Sequence, residues 1–270
     1  MISALPAITR KTIQPLVASL LLFLSSFISP FISVSALADT TDNTATTAAE
    51  VKQRIQQADT VRSRFNSGEL LSEITLYRND KAVESNRYQV QFNDNGDSRV
   101  SMLDTRSKGQ KVLLLKNAMW LFVPRTRKAI RITPMQRLMG QASYGDVASL
   151  SWAKEYRWDS QPLLAKTDEN GSNTVRIGLI ADRQSATYRR IQLWLDADNN
   201  HPIKADFFLA SGKQMKSAHY QIEQLDGLPF VRTTRFLTPG KSKQYTQMTA
   251  SDPVEAQFPA SLFTRQGFIR

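Results

Sequence analysis

The sequence predicts a mainly β protein, an incompletely closed antiparallel β-barrel of roughly eleven strands whose hollow is plugged by helices. Short apolar segments separated by polar turn residues fill most of the chain beyond Gly68. One amphipathic helix precedes them. The segment 118–123 is apolar on both faces, so each face of that strand needs a cover.

The first residues have the features of a secretory signal peptide, which we expect to be cleaved after Ala38. Arg10 and Lys11 precede an almost uncharged apolar stretch, and Ala36-Leu37-Ala38 forms a cleavage site of the A-x-A type. An uncleaved membrane anchor is the alternative, because the apolar stretch is near the length that spans a bilayer. The mature, exported chain is expected to begin at Asp39.

Composition narrows the functional classes. The chain has no cysteine, so the exported protein can form no disulfides and cannot be anchored through a lipid on a cysteine. Residues 1–38 hold two of the 35 Lys and Arg residues and none of the 24 Asp and Glu residues, which leaves a net charge of +9 on the remainder. In an exported protein this excess does not indicate nucleic-acid binding. It fits a basic solvated surface, or attraction to anionic headgroups or an acidic partner.

The N-terminal part of the mature chain predicts a flexible leader followed by one helix. Residues 39–47 are small and polar, which is typical of a flexible segment. From Ala48 to about Asn66, apolar residues recur at the three- and four-residue spacing of one helical face. This face comprises Val51, Ile55, Ala58, Val61, Arg62 and Phe65. We expect residues 48–270 to form a single domain.

The rest of the chain predicts an antiparallel meander with one interruption. The turns contain the Gly, Asn and Asp residues that tight hairpins require. Ser143 and Asp146 have the spacing of a capping box and predict a short helix. The candidate strands are 70–78, 85–93, 97–104, 110–116, 118–123, 127–133, 174–181, 187–195, 202–210, 213–223, 228–237 and 241–249.

The segment 118–123 is interpreted as one wall of a container. A helix laid in the hollow of a curved sheet would cover one face of this strand and leave an apolar space that an acyl chain can enter when the helix moves aside. For each aromatic residue an ordinary core position is the alternative. We expect the lipid-binding lining to include Trp120, Phe122, Ile130, Ile132, Leu138, Met139 and Tyr144, with Arg127 and Arg131 on the opposite face or the rim.

The sequence offers little catalytic chemistry. Only two histidines are present, His201 in a turn and His219 on a predicted strand. There is no HExxH metal motif, no GxSxG nucleophile elbow and no phosphate-binding loop. We therefore predict binding rather than catalysis, with no catalytic residue, no metal and no cofactor.

The stretch "NAMWLFVPRTRKAIRITPMQRLMGQASYGDVASL", residues 117–150, resembles the LolA-like outer-membrane lipoprotein-sorting family. The matching features are Trp120 followed by Phe122 and Pro124, the arginine-rich strand 127–131, and Gly140 leading into the Ser143 segment. Weaker matches extend the resemblance over about residues 75–265.

The resemblance implies an open β-barrel with a helical lid whose hollow holds acyl chains. It also implies a monomeric periplasmic carrier that moves a lipoprotein or another lipid toward the outer membrane, possible partnership with an inner-membrane exporter of the resistance-nodulation-division type, and no nucleic-acid partner. Two other classes remain open. A periplasmic sensor or adaptor can use the same hollow, whereas charged strand residues such as Arg189 and Lys204 count against an outer-membrane barrel.

Overall fold

The computed structural model describes residues 47–116, 118–133, 143–161, 163–167, 173–183 and 186–269. The expected signal peptide lies outside these residues, as do Leu138 and Met139. Within them are the helices α1 (Ala48–Ser63), α2 (Tyr144–Ala148), α3 (Trp152–Glu155) and α4 (Arg265–Ile269), with 3₁₀ turns at Thr105–Ser107, Pro124–Thr126 and Ala260–Phe263. No helix in this part of the chain is both long enough and apolar enough to span a membrane.

Among the described residues, fourteen strands form one antiparallel sheet that does not close on itself, which confirms the predicted fold class. Neighbouring strands follow the order β6-β5-β4-β3-β2-β1-β14-β13-β12-β11-β10-β9-β7, and β8 also pairs with β9. The strands are β1 (Gly68–Arg78), β2 (Lys81–Phe92), β3 (Ser98–Met102), β4 (Lys111–Leu115), β5 (Ala118–Val123), β6 (Lys128–Ile132), β7 (Tyr156–Trp158), β8 (Leu164–Thr167), β9 (Asn173–Ala181), β10 (Arg190–Asp196), β11 (Pro202–Phe208), β12 (Gln214–Leu225), β13 (Leu228–Leu237) and β14 (Gln244–Glu255).

Each of the twelve strands predicted from the sequence corresponds to one strand of the sheet, and two further strands were missed. The missed strands, β7 and β8, contain three and four residues. Such short segments show hardly more than one period of the two-residue alternation, so the sequence pattern does not reveal them. Both pair with the same edge of β9.

Helix α1 follows the predicted stripe, but it begins and ends by local capping. Thr47, assigned to the leader from its composition, is the N-cap, and its hydroxyl accepts a bond from the Glu50 backbone while the Glu50 carboxylate accepts one from the Thr47 backbone. The helix ends at Ser63, three residues earlier than predicted, because Arg64 adopts a φ of 69°. Val51, Ile55, Ala58 and Val61 are buried as predicted.

The inner face of the sheet, defined here as the face that carries α1, α2 and α3, holds two apolar clusters. In the first cluster, Val51 and Ile55 of α1 and Trp152 of α3 pack on strands β9 to β13. In the second, Val147 and Ala148 of α2 pack on strands β1 to β6, β13 and β14. The helices thus cover much of the apolar inner face.

The outer face of the sheet carries a third cluster, formed by the end of the chain. Phe263 and Phe268 pack on Leu113, Trp120 and Phe122 of β4 and β5. Phe268 is fully buried, and its ring meets the ring of Phe122 edge-on at a centroid distance of 6.1 Å. Segment 118–123 is therefore covered on both faces, by helix α2 within and by the C-terminal segment outside.

Removing the Phe268 ring should destabilise the fold, because the C-terminal segment would lose its buried anchor. We expect Phe268→Ala to lower the free energy of unfolding by about 3–5 kcal/mol, measured by urea denaturation. Ile269→Ala is the matched control, since the side chain of Ile269 is exposed, and it should change stability by less than about 0.5 kcal/mol. A similar small change at position 268 would contradict the packing of this segment.

Candidate functional site

The predicted lining residues of β5 and β6 do not share one wall. Ile132 pairs with Met119, and Ile130 pairs with Leu121, so Ile130 and Ile132 lie on the inner face. Trp120 and Phe122 lie on the outer face beneath the C-terminal segment. Placing the aromatic pair together with the isoleucines was wrong, because successive side chains of a strand point to opposite faces and both phases of this strand are apolar.

The other predicted residues are placed as follows. Ile132 is buried in the second inner cluster, whereas Ile130 is 51% exposed near the sheet edge. Tyr144 is the first residue of α2, and of this residue only the backbone is described. Arg131 pairs with Trp120 and shares its outer face, and Arg127 occupies the turn between β5 and β6.

Helix α2 lies against the inner face as a short lid. Ser143 and Asp146 form the predicted capping box at its start. Gly145 comes so close to Thr187 that a Cβ atom at position 145 would lie 2.1 Å from the Thr187 hydroxyl oxygen. The lid therefore sits in close contact with the segment that precedes β10.

Asp146 fastens this lid to the opposite part of the sheet. Its Oδ2 lies 2.6 Å from Lys216 Nζ of β12, and its Oδ1 accepts a bond of 2.7 Å from the Tyr188 hydroxyl. The side chains of Asp146 and Lys216 are 2% and 5% exposed. Such a pair is stable in an apolar interior only when the remaining bonding positions are filled, and Ser143 provides two further donors to Oδ2.

A second polar centre, Asp59 and Arg62 of α1, fastens the segment that follows the lid. Arg62 donates to the carbonyls of Ser149 and Leu150 at 3.0 and 3.3 Å. Its guanidinium also lies 3.8 Å from the ring centroid of Trp152 and forms an ion pair with Asp59.

The carboxylate of Asp59 serves as a cap for α3. It accepts bonds from the backbone N–H groups of Trp152 and Ala153 and from the Ser151 hydroxyl. Burial raises the pKa of Asp59, against the lowering effects of Arg62 and of these bonds. Helix α1 consequently binds the backbone carbonyls of Ser149 and Leu150, which follow the lid, and also the first turn of α3.

Among the described residues, two small voids lie beneath the lid. Each has a volume of about 30 Å³, and both are lined by Arg62, Thr234 and Met248. Binding sites for drug-sized ligands measure roughly 300–1,000 Å³, so neither of these two voids is large enough for an acyl chain.

A wider cleft of about 330 Å³ opens beside the lid, between α1 and the turn that joins β2 to β3. Its lining is mixed, with polar residues such as Gln56, Thr60 and Lys154 beside the apolar side chain of Leu150. Leu150 also lines one of the interior voids. This side chain therefore borders both spaces.

Glu155 is a buried acid next to the lid segment. Its Oε1 accepts a bond of 2.7 Å from the Ser149 hydroxyl, and its Oε2 has no hydrogen-bond partner among the described residues. Burial raises the pKa of Glu155 to about 7, while the bond from Ser149 and the charges of Arg183 and Arg62 act to lower it. The protonation state of the Glu155 carboxyl group therefore changes with pH near neutrality.

The described residues form an apolar inner surface beneath a short helix that polar contacts hold in place. Within the described ranges, no three His, Cys, Asp or Glu side chains come close enough to hold a metal ion.

The sequence analysis did not predict the contact of Lys216 with Asp146, although one feature of the sequence pointed to it. Lys216 stands at the same phase of β12 as the buried Ala218, so the alternation directs this lysine inward.

A family model described only as "-like: Uncharacterized protein" matches residues 97–270. No curated protein matches the chain.

Three solved structures are similar over most of their length. A LolA superfamily protein from Nitrosomonas europaea is 26% identical with a TM-score of 0.71, and the match covers 82% of this chain and 99% of that one. An outer membrane lipoprotein-sorting protein domain from Vibrio parahaemolyticus is 17% identical with a TM-score of 0.63, with coverage of 83% and 100%. A DUF1329 family protein from Desulfovibrio piger is 17% identical with a TM-score of 0.62, with coverage of 82% and 97%.

Asp146→Asn should destabilise the protein strongly, because it leaves the buried ammonium of Lys216 without its counter-charge. We expect a loss of about 3–5 kcal/mol in the free energy of unfolding, measured by urea denaturation at pH 7. Asp226→Asn makes the same chemical change in a carboxylate that is 84% exposed and 3.9 Å from Arg64. That control should cost at most about 1 kcal/mol, and equal losses at the two positions would mean that the Asp146 pair is solvated.

Glu155 should make stability fall as pH rises toward 7. Its pKa is raised from 4.5 to about 7 in the folded protein, so between these values the folded chain keeps a proton that the unfolded chain releases. The stabilisation is complete below pH 4.5 and is lost as pH rises through 7.

The test compares the free energy of unfolding at pH 5 and pH 8 for three proteins. The decrease in the wild type should exceed that in Glu155→Gln by on the order of 3 kcal/mol, since glutamine does not titrate. Glu223→Gln, at a side chain that is 66% exposed, should behave as the wild type. Parallel pH curves for wild type and Glu155→Gln would refute a neutral buried Glu155.

Proposed function

Because this chain belongs to the LolA-like outer-membrane lipoprotein-sorting family, we propose that it is a soluble periplasmic carrier of acyl chains. It binds the chains of a lipoprotein or another lipid on the inner face of its sheet and delivers them toward the outer membrane. The mechanism is binding and handover by a monomer, without a bond made or broken. An inner-membrane exporter of the resistance-nodulation-division type is the proposed partner, on family resemblance alone.

The observation that carries the proposal is an apolar inner face closed by polar fastenings. Apolar clusters line the face beneath α2, while Asp146 and Arg62 hold the cover in place. A purely structural core needs no charged groups between its layers, since apolar residues of the same volume often stabilise as well or better. When the cover moves, the charged side chains of Asp146 and Arg62 can replace their protein partners by water. Apolar side chains that lose their packing contacts gain no comparable interaction with water.

The energies are compatible with capture. Burying a 14-carbon chain at about 0.8 kcal/mol per methylene contributes on the order of 10 kcal/mol. Opening the lid costs less than removing one partner of the Lys216–Asp146 pair, because both charges regain water in the open state. Cargo therefore shifts the protein from the closed to the open form by occupying a surface that only the open form presents.

The cleft beside Leu150 is the proposed route of entry. Leu150 borders both the open cleft and an interior void, and its carbonyl accepts a bond from Arg62. Displacing this one segment joins the two spaces. The polar lining of the cleft then remains available to the headgroup or peptide part of the cargo, which has no place on the apolar face.

The direct test is to purify the exported protein from the periplasm without detergent, weigh it by native mass spectrometry and identify any lipid released on denaturation. The carrier proposal predicts stoichiometric co-purifying acylated species. An empty protein that instead forms a tight complex with a membrane partner would replace the carrier by the sensor or adaptor function.

Ala250→Leu, with Ser251→Leu as its matched control, should locate the site. Ala250 lines an interior void on the inner face, and Ser251, the next residue, pairs with the exposed Leu71 on the outer face. We expect Ala250→Leu to reduce bound lipid and the affinity for a fluorescent fatty acid at least about tenfold, since extra methylenes fill the space that cargo needs. Ser251→Leu should leave both unchanged, and equal binding by the two folded variants would exclude the inner face.

A further inference from the structure

The outer face of strands β9 to β13 carries a row of basic and aromatic side chains. Cross-strand pairing aligns the row, because Arg176 pairs with Trp194, Trp194 with Lys204, Lys204 with His219 and His219 with Arg235. We refer to these five residues as the basic row. They come from five consecutive strands spaced roughly 4.8 Å apart, so the row extends over about 19 Å.

Every member of the basic row points away from the apolar core. Ile177, Leu193, Ala205, Ala218 and Phe236, which adjoin the five row positions along their strands, are buried on the inner face. Since side chains alternate along a strand, the row lies on the face opposite α1, α2 and α3. It is consequently separate from the proposed cargo site.

One of the three cations of the row, Lys204, has a carboxylate partner among the described residues, and the other two do not. Lys204 lies 3.0 Å from Asp206, whose other oxygen accepts a bond from Ser217. Among the described residues no carboxylate lies within 4.0 Å of the guanidinium of Arg176 or Arg235. Trp194 and His219 separate the three cations along the row, so Arg176 and Arg235 stand apart from each other and can each meet a different external anion.

Aromatic rings hold two of these cations in place. Lys204 Nζ lies 4.5 Å from the ring centroid of Trp194, and Arg235 Cζ lies 4.5 Å from that of Tyr245. Tyr245 stacks on Tyr77 at 4.7 Å and pairs with Leu237, which is 38% exposed. Apolar and amphipathic surface thus borders the charges.

We propose that the basic row docks this protein on membranes that contain anionic phospholipids. Side chains from consecutive strands form a line rather than an enclosed pocket, so they match many phosphates in a plane better than one small anion. Tyr and Trp, whose rings are apolar and whose polar atoms are wet, suit the headgroup level of a bilayer. Docking through the outer face leaves the inner face, with its lid, uncovered on the side away from the bilayer.

His219 provides an internal reporter of such docking. Burial and the neighbouring cations Lys204 and Arg235 lower the pKa of His219, while Asp206 acts to raise it. An anionic leaflet next to the row would offset the two cations. The pKa of His219, followed by NMR, should therefore rise when vesicles of phosphatidylglycerol and phosphatidylcholine are added, and it should stay constant with phosphatidylcholine alone.

The decisive experiment measures vesicle binding of the exported protein by flotation at low ionic strength. Each cation near an anionic surface contributes roughly a fivefold factor in partitioning, so Arg176→Gln with Arg235→Gln should weaken binding to phosphatidylglycerol vesicles about 25-fold. The matched control, Lys52→Gln with Lys128→Gln, has the same net charge but changes exposed residues of α1 and of β6 at the far sheet edge. It should bind within about threefold of the wild type.

Several outcomes would overturn the proposal. These are absence of binding to anionic vesicles, equal weakening in the two double variants, or an unchanged His219 pKa on bound vesicles. Equal thermal unfolding midpoints for the variants establish that a difference does not come from lost folding. Because acyl-chain binding is measured separately in solution, loss of vesicle docking with retained cargo binding rejects this inference alone.

Discussion

The position of helix α2 on the sheet depends on one buried ion pair, the 2.6 Å contact between Lys216 of β12 and Asp146 of α2. The lid helix has only five residues and too few backbone bonds to be stable alone in water. Asp146 gives it a fixed position, because one carboxylate accepts donors from the lid itself, from Tyr188 and from the distant lysine. The lid is therefore held by these polar contacts together with the buried side chains of Val147 and Ala148.

The second fastening links the lid to helix α1. Asp59 and Arg62 lie in the last two turns of α1 and bond to segment 149–153, which connects the lid to α3. A movement of that segment must break carbonyl bonds to Arg62, whose side chain also borders both interior voids. The proposed opening of the lid therefore requires the loss of these bonds. Glu155, whose pKa burial raises to about 7, donates no bond among the described residues but accepts one from Ser149 of the same segment.

Sequence patterns predicted much of the fold, since strand alternation, turn residues, the α1 stripe and the Ser143 capping box are local features. They could not predict which face of β5 is the inner one. Met119 and Trp120 are both apolar, so the alternation has no polar phase to mark solvent, and the answer depends on the C-terminal segment that packs on Trp120. Nor could they reveal Lys216 beside Asp146, because these residues are 70 positions apart and only the curvature of the sheet joins them.

The two-residue period of a strand also explains how one sheet can serve two surfaces. On β12, Ala218 belongs to the apolar interior while the adjacent His219 belongs to the basic row. Cargo and membrane would thus contact opposite faces of the same strands, and each would be separated from the backbone by about the length of one side chain. The sequence requirements of the two faces are therefore independent, because a substitution at position 219 changes the outer face and leaves the buried side chain of Ala218 in place.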